Sequence, residues 1–397
     1  MTRSWHLVTG EYPPAPGGVS DYTRAIAAGL AAAGDIVHVW CPDTESLAHD
    51  PPGVHVHRSA GLWTGRDLRR LDIELDQTRA PRRLLVQWVP HAFGRRSMNV
   101  GFCRWVRTRA RQGDVVDLMV HEPFLAFREG ALRHDLVAGV HRAMATMLLG
   151  ASRRVWVSIP AWADRLRPWV LGRTPSFCWL PVPSTLAVTG DADVLAEVRS
   201  RVRESHDLVI GHFSTYDANT RRVLQTLSPQ LMRALAGSRL LLLGRGSDLT
   251  AADLQQRFPE LRDRVLGVGA LAADALSAHL QACDLMVLPY VDGASTRRTT
   301  LMAALAHGVP VVTTVGRLSE PFWASSAAVT AVDADDVEGF IHATVALAGD
   351  SHRRQRQSVA ARETYAARFD VAHVIRALRE DRCEPAVPQS AVPGTAE

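Results

Sequence analysis

The sequence predicts an α/β protein built as two Rossmann-like halves, and three observations lead there. The first forty residues place a short apolar run at 5–9, a Gly- and Pro-rich loop, a helical pattern at 22–33 closed by Gly34, and a second apolar run at 36–40, which together make a βαβ unit. The alternation restarts after Pro181 and Pro183 with a new apolar run at 208–212. Residues 284–314, DLMVLPYVDGASTRRTTLMAALAHGVPVVTT, then read strand, Gly-containing loop, helix, strand. Their runs at 285–288 and 309–312 have the length and β-branched content of strands buried on both faces of a parallel sheet.

Composition narrows the function classes. At 397 residues with 47 % hydrophobic content the chain can bury sizeable cores in two or three domains. No charged start with an apolar run behind it opens the sequence, and no stretch of about 18 uninterrupted apolar residues occurs, so a soluble cytoplasmic protein is expected. Five scattered cysteines without a Cys-x-x-Cys pair predict neither a disulfide framework nor a zinc site. The net charge of +4 spreads over 45 basic and 41 acidic residues, an interleaving that speaks against nucleic acid as a partner. All 45 basic residues are arginine, which excludes Schiff-base, pyridoxal-phosphate and phosphate-loop chemistry, since each needs a lysine.

In the first half, residues 1–182, the loop GEYPPAPGGVSDY lacks the dinucleotide fingerprint. Its Gly17 and Gly18 would let backbone approach a ligand, the alternative being a Pro-rich surface turn. Further strands fall at 54–57, 83–89, 115–120, 154–158 and 177–180. FGRRSMNVGFCRWVRTRARQ sets Met98, Phe102, Trp105 and Val106 on one helical face and Arg104, Arg107 and Arg111 on another. It reads as an amphipathic helix packed on the sheet; the other readings are an anionic acceptor site with Arg95 and Arg96, or contact with a membrane surface. The strand at 115–120 runs into HEPF, so His121 and Glu122 stand at a carboxyl strand end, where open parallel sheets bind ligands. Residues 183–206 read as a linker.

The second half, 207–365, places Ser214 and Thr215, with Arg221 or Arg222, in the loop FSTYDANTRR, ahead of a helix at 220–235. The strand at 239–243 ends in Gly244 and Gly246, a glycine pair without the full fingerprint, so no NAD is expected. In the 284–314 stretch Asp292, Gly293 and Ser295 supply turn chemistry, and a helix is expected from 296 to 307, stopped by Gly308 and Pro310. Arg297 and Arg298 then fall in its first turn, where they oppose the helix dipole unless an anion such as phosphate joins them. Asp191 with Asp193 and Asp333 with Asp335 lie in a linker and a helix start, and no metal site is read into them. One long helical region spans 351–380, and the tail 384–397 has the composition of a disordered segment.

PYVDGASTRRTTLMAALAHGVPVVTT resembles the donor-binding signature of GT-B glycosyltransferases, in particular the retaining family 4 type and its bacterial relatives. PPAPGGVSDY and HEPF resemble that family's first loop and the strand-end histidine near the transferred sugar. The resemblance implies two Rossmann-like domains facing a central cleft, with the stretch 366–383 returning to the first half, and metal-independent transfer of a sugar from a UDP- or GDP-type donor to a small-molecule or glycan acceptor. It implies no cofactor beyond the nucleotide sugar itself. Catalytic roles fall on His121 and Arg297, and donor contacts on Gly17, Gly18, Glu122, Ser214, Thr215, Gly244, Asp292, Gly293, Ser295, Arg298, Thr299 and Thr300. The family's two glutamates, the second of which holds the ribose, correspond to Ser295 and Ala303 here, with Asp292 as the stand-in for the first and none for the second. A nucleotide-sugar epimerase of the same fold, or a non-catalytic nucleotide-binding relative, is the alternative.

Overall fold

A computed structural model describes residues 2–43, 49–59, 61–94, 97–128, 130–204 and 206–386. The chain forms two compact units, one holding the residues up to Val182 and those from Val371 on, the other Pro183–Asp370.

Unit 1 runs β1 (Ser4–Thr9), α1 (Gly18–Ala32), β2 (Ile36–Cys41), β3 (Val54–Arg58), α2 (Gly65–Asp76), β4 (Arg83–Trp88), α3 (Val100–Arg111), β5 (Val115–Val120), α4 (Leu132–Leu149), β6 (Arg154–Val157), α5 (Pro160–Leu166) and β7 (Ser176–Trp179). Unit 2 follows with α6 (Ala192–Arg203), β8 (Leu208–Phe213), α7 (Ala218–Ala234), β9 (Ser238–Leu243), α8 (Ser247–Arg257), β10 (Val265–Gly267), α9 (Ala273–Ala282), β11 (Leu285–Leu288), α10 (Thr299–Ala306), β12 (Val311–Val315), β13 (Thr330–Asp333), α11 (Val337–Gly349) and α12 (Ser351–Arg368). The chain then returns to unit 1 as α13 (Val371–Glu380) and β14 (Glu384–Pro385).

The unit 1 sheet has the order β14-β7-β6-β5-β4-β1-β2-β3, parallel except for β14. One core gathers Trp5 and Leu7 of β1, Leu85, Met119 and Tyr22 with Val374, Ile375 and Leu378 of α13. Strand residues alternate faces, and the register His6↔His38↔His55 lines three imidazoles across β1, β2 and β3, stacked 4.9 and 5.0 Å apart. Helix α3 buries Phe102, Trp105 and Val106 and exposes Arg104, Arg107 and Arg111, an amphipathic helix as its pattern predicts; Arg109 is buried in an ion pair with Asp114 at 2.6 Å. Arg95 and Arg96 lie outside the described residues.

Four expectations are corrected here. Helix α1 begins at Gly18 instead of 22, because the Glu11 carboxylate accepts the Ser20 N–H at 3.1 Å and extends the first turn. The linker carries α6, capped by the Asp191 carboxylate on the Asp193 and Val194 amides. The region 351–380 is two helices parted at Phe369 and Asp370, where fully buried Phe369 leaves helical geometry and packs tilted against Trp323, ring centres 5.7 Å apart. Cys178 and Cys383 form a disulfide with Cα atoms 5.1 Å apart, because β14 pairs antiparallel with β7 and draws residues 205 positions apart together. Glu384–Pro385 is therefore strand, while the rest of the expected tail, 387–397, lies outside the described residues. Just before it, Asp381 joins Arg83, Arg153 and Arg154; against burial, the hydrogen bonds and charge of Arg83 and Arg153 hold its carboxyl down at about 2.

The unit 2 sheet, β10-β9-β8-β11-β12-β13, is wholly parallel. Its short edge strands β10 and β13 carry no signal that the sequence reading registers. Strand β12 begins at Val311, two residues after the expected start, since Pro310 has no amide to donate while its carbonyl accepts from Met286 at 2.7 Å.

Candidate functional site

In unit 2 the loops after β9, β8 and β11 lie side by side, because these three strands are neighbours. The β11 loop is seated on the turn at 316–320. Gly293 has φ +85°, and a Cβ there would stand 2.2 Å from Ser319 Oγ and 2.3 Å from the Gly316 nitrogen, so only glycine lets the two segments touch. Leu318 donates its N–H to the Asp292 carbonyl at 3.0 Å. Glu320, buried, accepts the Thr296 N–H at 3.1 Å, the Thr296 hydroxyl, and the Trp323 indole N–H at 2.8 Å. Burial pushes its carboxyl up to about 7 against those hydrogen bonds.

Arg297 and Arg298 precede α10 instead of occupying its first turn: Arg298 donates its N–H to the Ser295 carbonyl at 3.0 Å, and this turn delays the helix to Thr299. Asp292, expected as a donor contact in place of a glutamate, is their internal counter-ion, 3.5 Å from Arg297 and 3.8 Å from Arg298, and Arg317 pairs with it too. Three guanidinium groups thus gather around the Asp292 carboxylate beside the first amides of α10. The Arg298 guanidinium lies 4.6 Å from the Tyr290 ring centre, and the Tyr290 hydroxyl, pushed up to about 12 by burial, shares a 2.7 Å hydrogen bond with Thr300. Ser295 is fully buried, and its hydroxyl has no hydrogen-bond partner among the described residues. Thr299 opens α10 half-buried, and Ala303 points into the apolar core of the unit.

Ser214 and Thr215 follow β8, and Gly244 follows β9 so tightly that a Cβ on it would meet the Ser214 carbonyl oxygen at 2.3 Å. Asp217 caps α7 through Thr220 N–H at 2.7 Å; that bond and the nearby Arg298 charge lower its carboxyl, which ties this loop to the arginine cluster. Arg221 and Arg222 are exposed on α7. His212 is taken by Tyr216, 3.2 Å from Nδ1, and burial keeps it neutral, its value down at about 4.

In unit 1 the strand ends of β1, β4 and β5 meet in a different chemistry. His121 is 9 % exposed; its Nε2 lies 2.9 Å from Gln87 Oε1, and its carbonyl accepts the Trp162 indole N–H at 2.8 Å. Burial drives the imidazole down to about 3, so it is uncharged at neutral pH. Tyr22 meets the ring edge-on, centres 4.8 Å apart. Glu122 is exposed, Gly17 caps α1 against the Glu11 carboxylate, and Gly18 has open space where a side chain would begin. Glu11, Gln87, Tyr290 and Glu320 escaped the sequence reading; of these only Gln87, a polar residue in the apolar run that follows Arg83, carried a signal. Among the described residues no group of three or more His, Cys, Asp or Glu could share a metal ion, and no helix is long and apolar enough to cross a membrane.

Residues 206–350 match the family model described as glycosyl transferases group 1. No curated protein matches the chain. Among solved structures the chain is similar to sucrose-phosphate synthase from Thermosynechococcus elongatus at 18 % identity and a TM-score of 0.68, over 95 % of this chain and 98 % of that one. It is likewise similar to Anabaena HepE in complex with UDP and glucose (14 %, TM-score 0.66, 96 % and 99 %) and to WaaG, a glycosyltransferase involved in lipopolysaccharide biosynthesis (14 %, 0.64, 95 % and 98 %). At such identities the likeness carries the fold, two parallel α/β sheets of the GT-B kind, while the family match carries the chemistry of the second unit. The chain is a glycosyltransferase of GT-B fold whose second unit is a glycosyl transferases group 1 domain.

Proposed function

We propose that the protein transfers a sugar from a UDP-type nucleotide sugar to a small-molecule or glycan acceptor, in the manner of retaining family 4 enzymes. The observation that carries this is the gathering of Arg297, Arg298 and Arg317 around Asp292 at the end of β11. A departing diphosphate gains charge as the glycosidic bond breaks, and guanidinium groups already held in place stabilise that charge without reorganising. Arg297 and Arg298 serve as forked donors to the phosphate oxygens. The turn formed by Ser214 and Thr215, closed under Gly244, takes the other side of the diphosphate. His121, neutral and rigidly held, acts on the transferred sugar as a hydrogen-bond partner. The arginines neutralise the diphosphate in this reading, so no metal ion enters the step. Support for uridine comes from the solved relative that holds UDP and glucose.

The test is melting with UDP, GDP, ADP and CDP in parallel. UDP at 100 times its dissociation constant should add about 2.7 kcal/mol of stability. No stabilisation by any of the four would refute a nucleotide-sugar site. Product analysis with UDP-glucose alone then separates transfer from epimerisation, which would isomerise the nucleotide sugar with no acceptor present.

A further inference from the structure

We infer that Gln87 is a positioning residue: it fixes His121 as the tautomer protonated on Nε2, leaving the Nδ1 lone pair to accept a hydrogen bond from a hydroxyl of the transferred sugar. The inference rests on the proposed role of His121 and adds to it the atom through which that role is exercised.

A neutral imidazole carries one N–H and one lone pair, and the partner of one nitrogen decides the state of the other. His121 Nε2 faces the Gln87 amide oxygen at 2.9 Å, and an amide oxygen can only accept, so the proton sits on Nε2. Nδ1 makes no hydrogen bond to any described residue and is not among the buried unpartnered atoms, so it keeps access to solvent. A half-turn of the ring would carry Nε2 away from the Gln87 oxygen and lose that hydrogen bond, while the residue around it is held in place. Its backbone N–H bonds the Trp88 carbonyl at 3.1 Å, its carbonyl is held by Trp162, and Tyr22 abuts the ring. Gln87 is itself locked, fully buried on β4 between Thr9 of β1 and Met119 of β5.

Its cost is visible. The Gln87 amide nitrogen and the Tyr22 hydroxyl are both buried without a hydrogen-bond partner among the described residues, beside a core that holds Leu85, Met119 and Leu7. Two orphaned polar groups in an apolar cluster work against stability. A leucine at position 87 would remove one of them, so a glutamine that faces the histidine is accounted for by what it does to the ring. The opposite orientation of the amide would present an NH2 to Nε2 and place the imidazole proton on Nδ1. That state would offer the sugar a donor instead of an acceptor, and the two are distinguishable.

The experiment is nitrogen NMR of the full-length protein labelled at histidine, without ligand and at neutral pH. His121, assigned by the loss of its signals in His121→Ala, should show a protonated Nε2 and an unprotonated Nδ1. The reverse pattern, or a mixture, overturns the inference without the need for any variant at position 87. Gln87→Met should then turn the pure tautomer into a mixture and reduce UDP release from UDP-glucose at least about tenfold in kcat, with UDP affinity unchanged. Gln87→Glu, which still accepts from Nε2, should retain the tautomer, recover most of the turnover, and raise the pH at which His121 titrates. Unchanged turnover in folded Gln87→Met, while His121→Ala has lost its own, refutes the positioning role and leaves the role of His121 standing. Unchanged turnover in His121→Ala as well refutes both.

Discussion

At the strand ends of unit 1 the buried polar groups that meet are uncharged: a neutral His121, Gln87 and Tyr22, held by hydrogen bonds and ring contacts. At the strand ends of unit 2 they are ionic, with three arginines on Asp292 and a buried Glu320 under the loop. The architecture is shared, and the contrast fits what each address is proposed to meet. A sugar hydroxyl asks for a placed lone pair or N–H, for which charge adds little specificity, whereas a diphosphate asks for excess positive charge. The difference reaches stability as well, because His6 of unit 1 and Glu320 of unit 2 respond to pH in opposite senses.

The largest expected effect tests that opposition from the acid side. His6 is fully buried, and burial first, then His38 and Arg82, lower it to about 3, below an unfolded value near 6.5. The unfolded chain therefore binds the extra proton, so the contribution of His6 is whole above pH 6.5 and falls by on the order of 4 kcal/mol as pH drops toward 3. Amide exchange of β1 and β2 should accelerate steeply over that range and much less in His6→Met. Protection that stays level from pH 7 to pH 4 would remove the contrast.

From the alkaline side, Glu320 rises to about 7 from 4.5, so the folded state keeps a proton that the unfolded state releases. Its contribution to unit 2 is whole below pH 4.5 and is lost, by about 3 kcal/mol, as pH climbs through 7. Exchange at α10 and β12 should become faster across that window, and Glu320→Gln should abolish the trend. Next in size, Arg297→Ala should weaken UDP binding by about 2 kcal/mol in calorimetry, as loss of a charge-assisted bond does. An unchanged affinity in the folded variant would take the diphosphate away from this cluster. Smallest is the effect of the ribose. Ala303 faces the core and offers no charge, so 2′-deoxy-UDP should bind within about threefold of UDP, under 1 kcal/mol. A loss beyond tenfold would point to Ser295 or Thr299 as a ribose partner.

The strand-loop-helix-strand order of 284–314 was legible because apolar runs, Gly293, Gly308 and Pro310 act within a few residues of one another. His121 was legible as a strand end for the same reason. The role of Asp292 was not: its partner Arg317 lies 25 positions on, and a carboxylate in a turn looks alike whether it meets a ligand or a neighbouring guanidinium. Glu320 stands in SEPFW, where nothing local marks a residue that holds Thr296 from 24 positions away. The break at Phe369 uses neither Gly nor Pro, and burial of one ring decides it. The cysteine pairing was hidden for a like reason, since it depends on which strand the chain's end joins.

That last feature changes the molecule's covalent topology. Residues 183–370 are an insertion between two parts of unit 1, and the Cys178–Cys383 bond lies outside both junctions, so all of unit 2 sits inside one closed ring of main chain and sulfur. A protease that cuts any one peptide bond within that ring opens it without releasing a piece. The nicked protein would run as a single 43.4 kDa species without reductant and fall into two fragments once the disulfide is reduced.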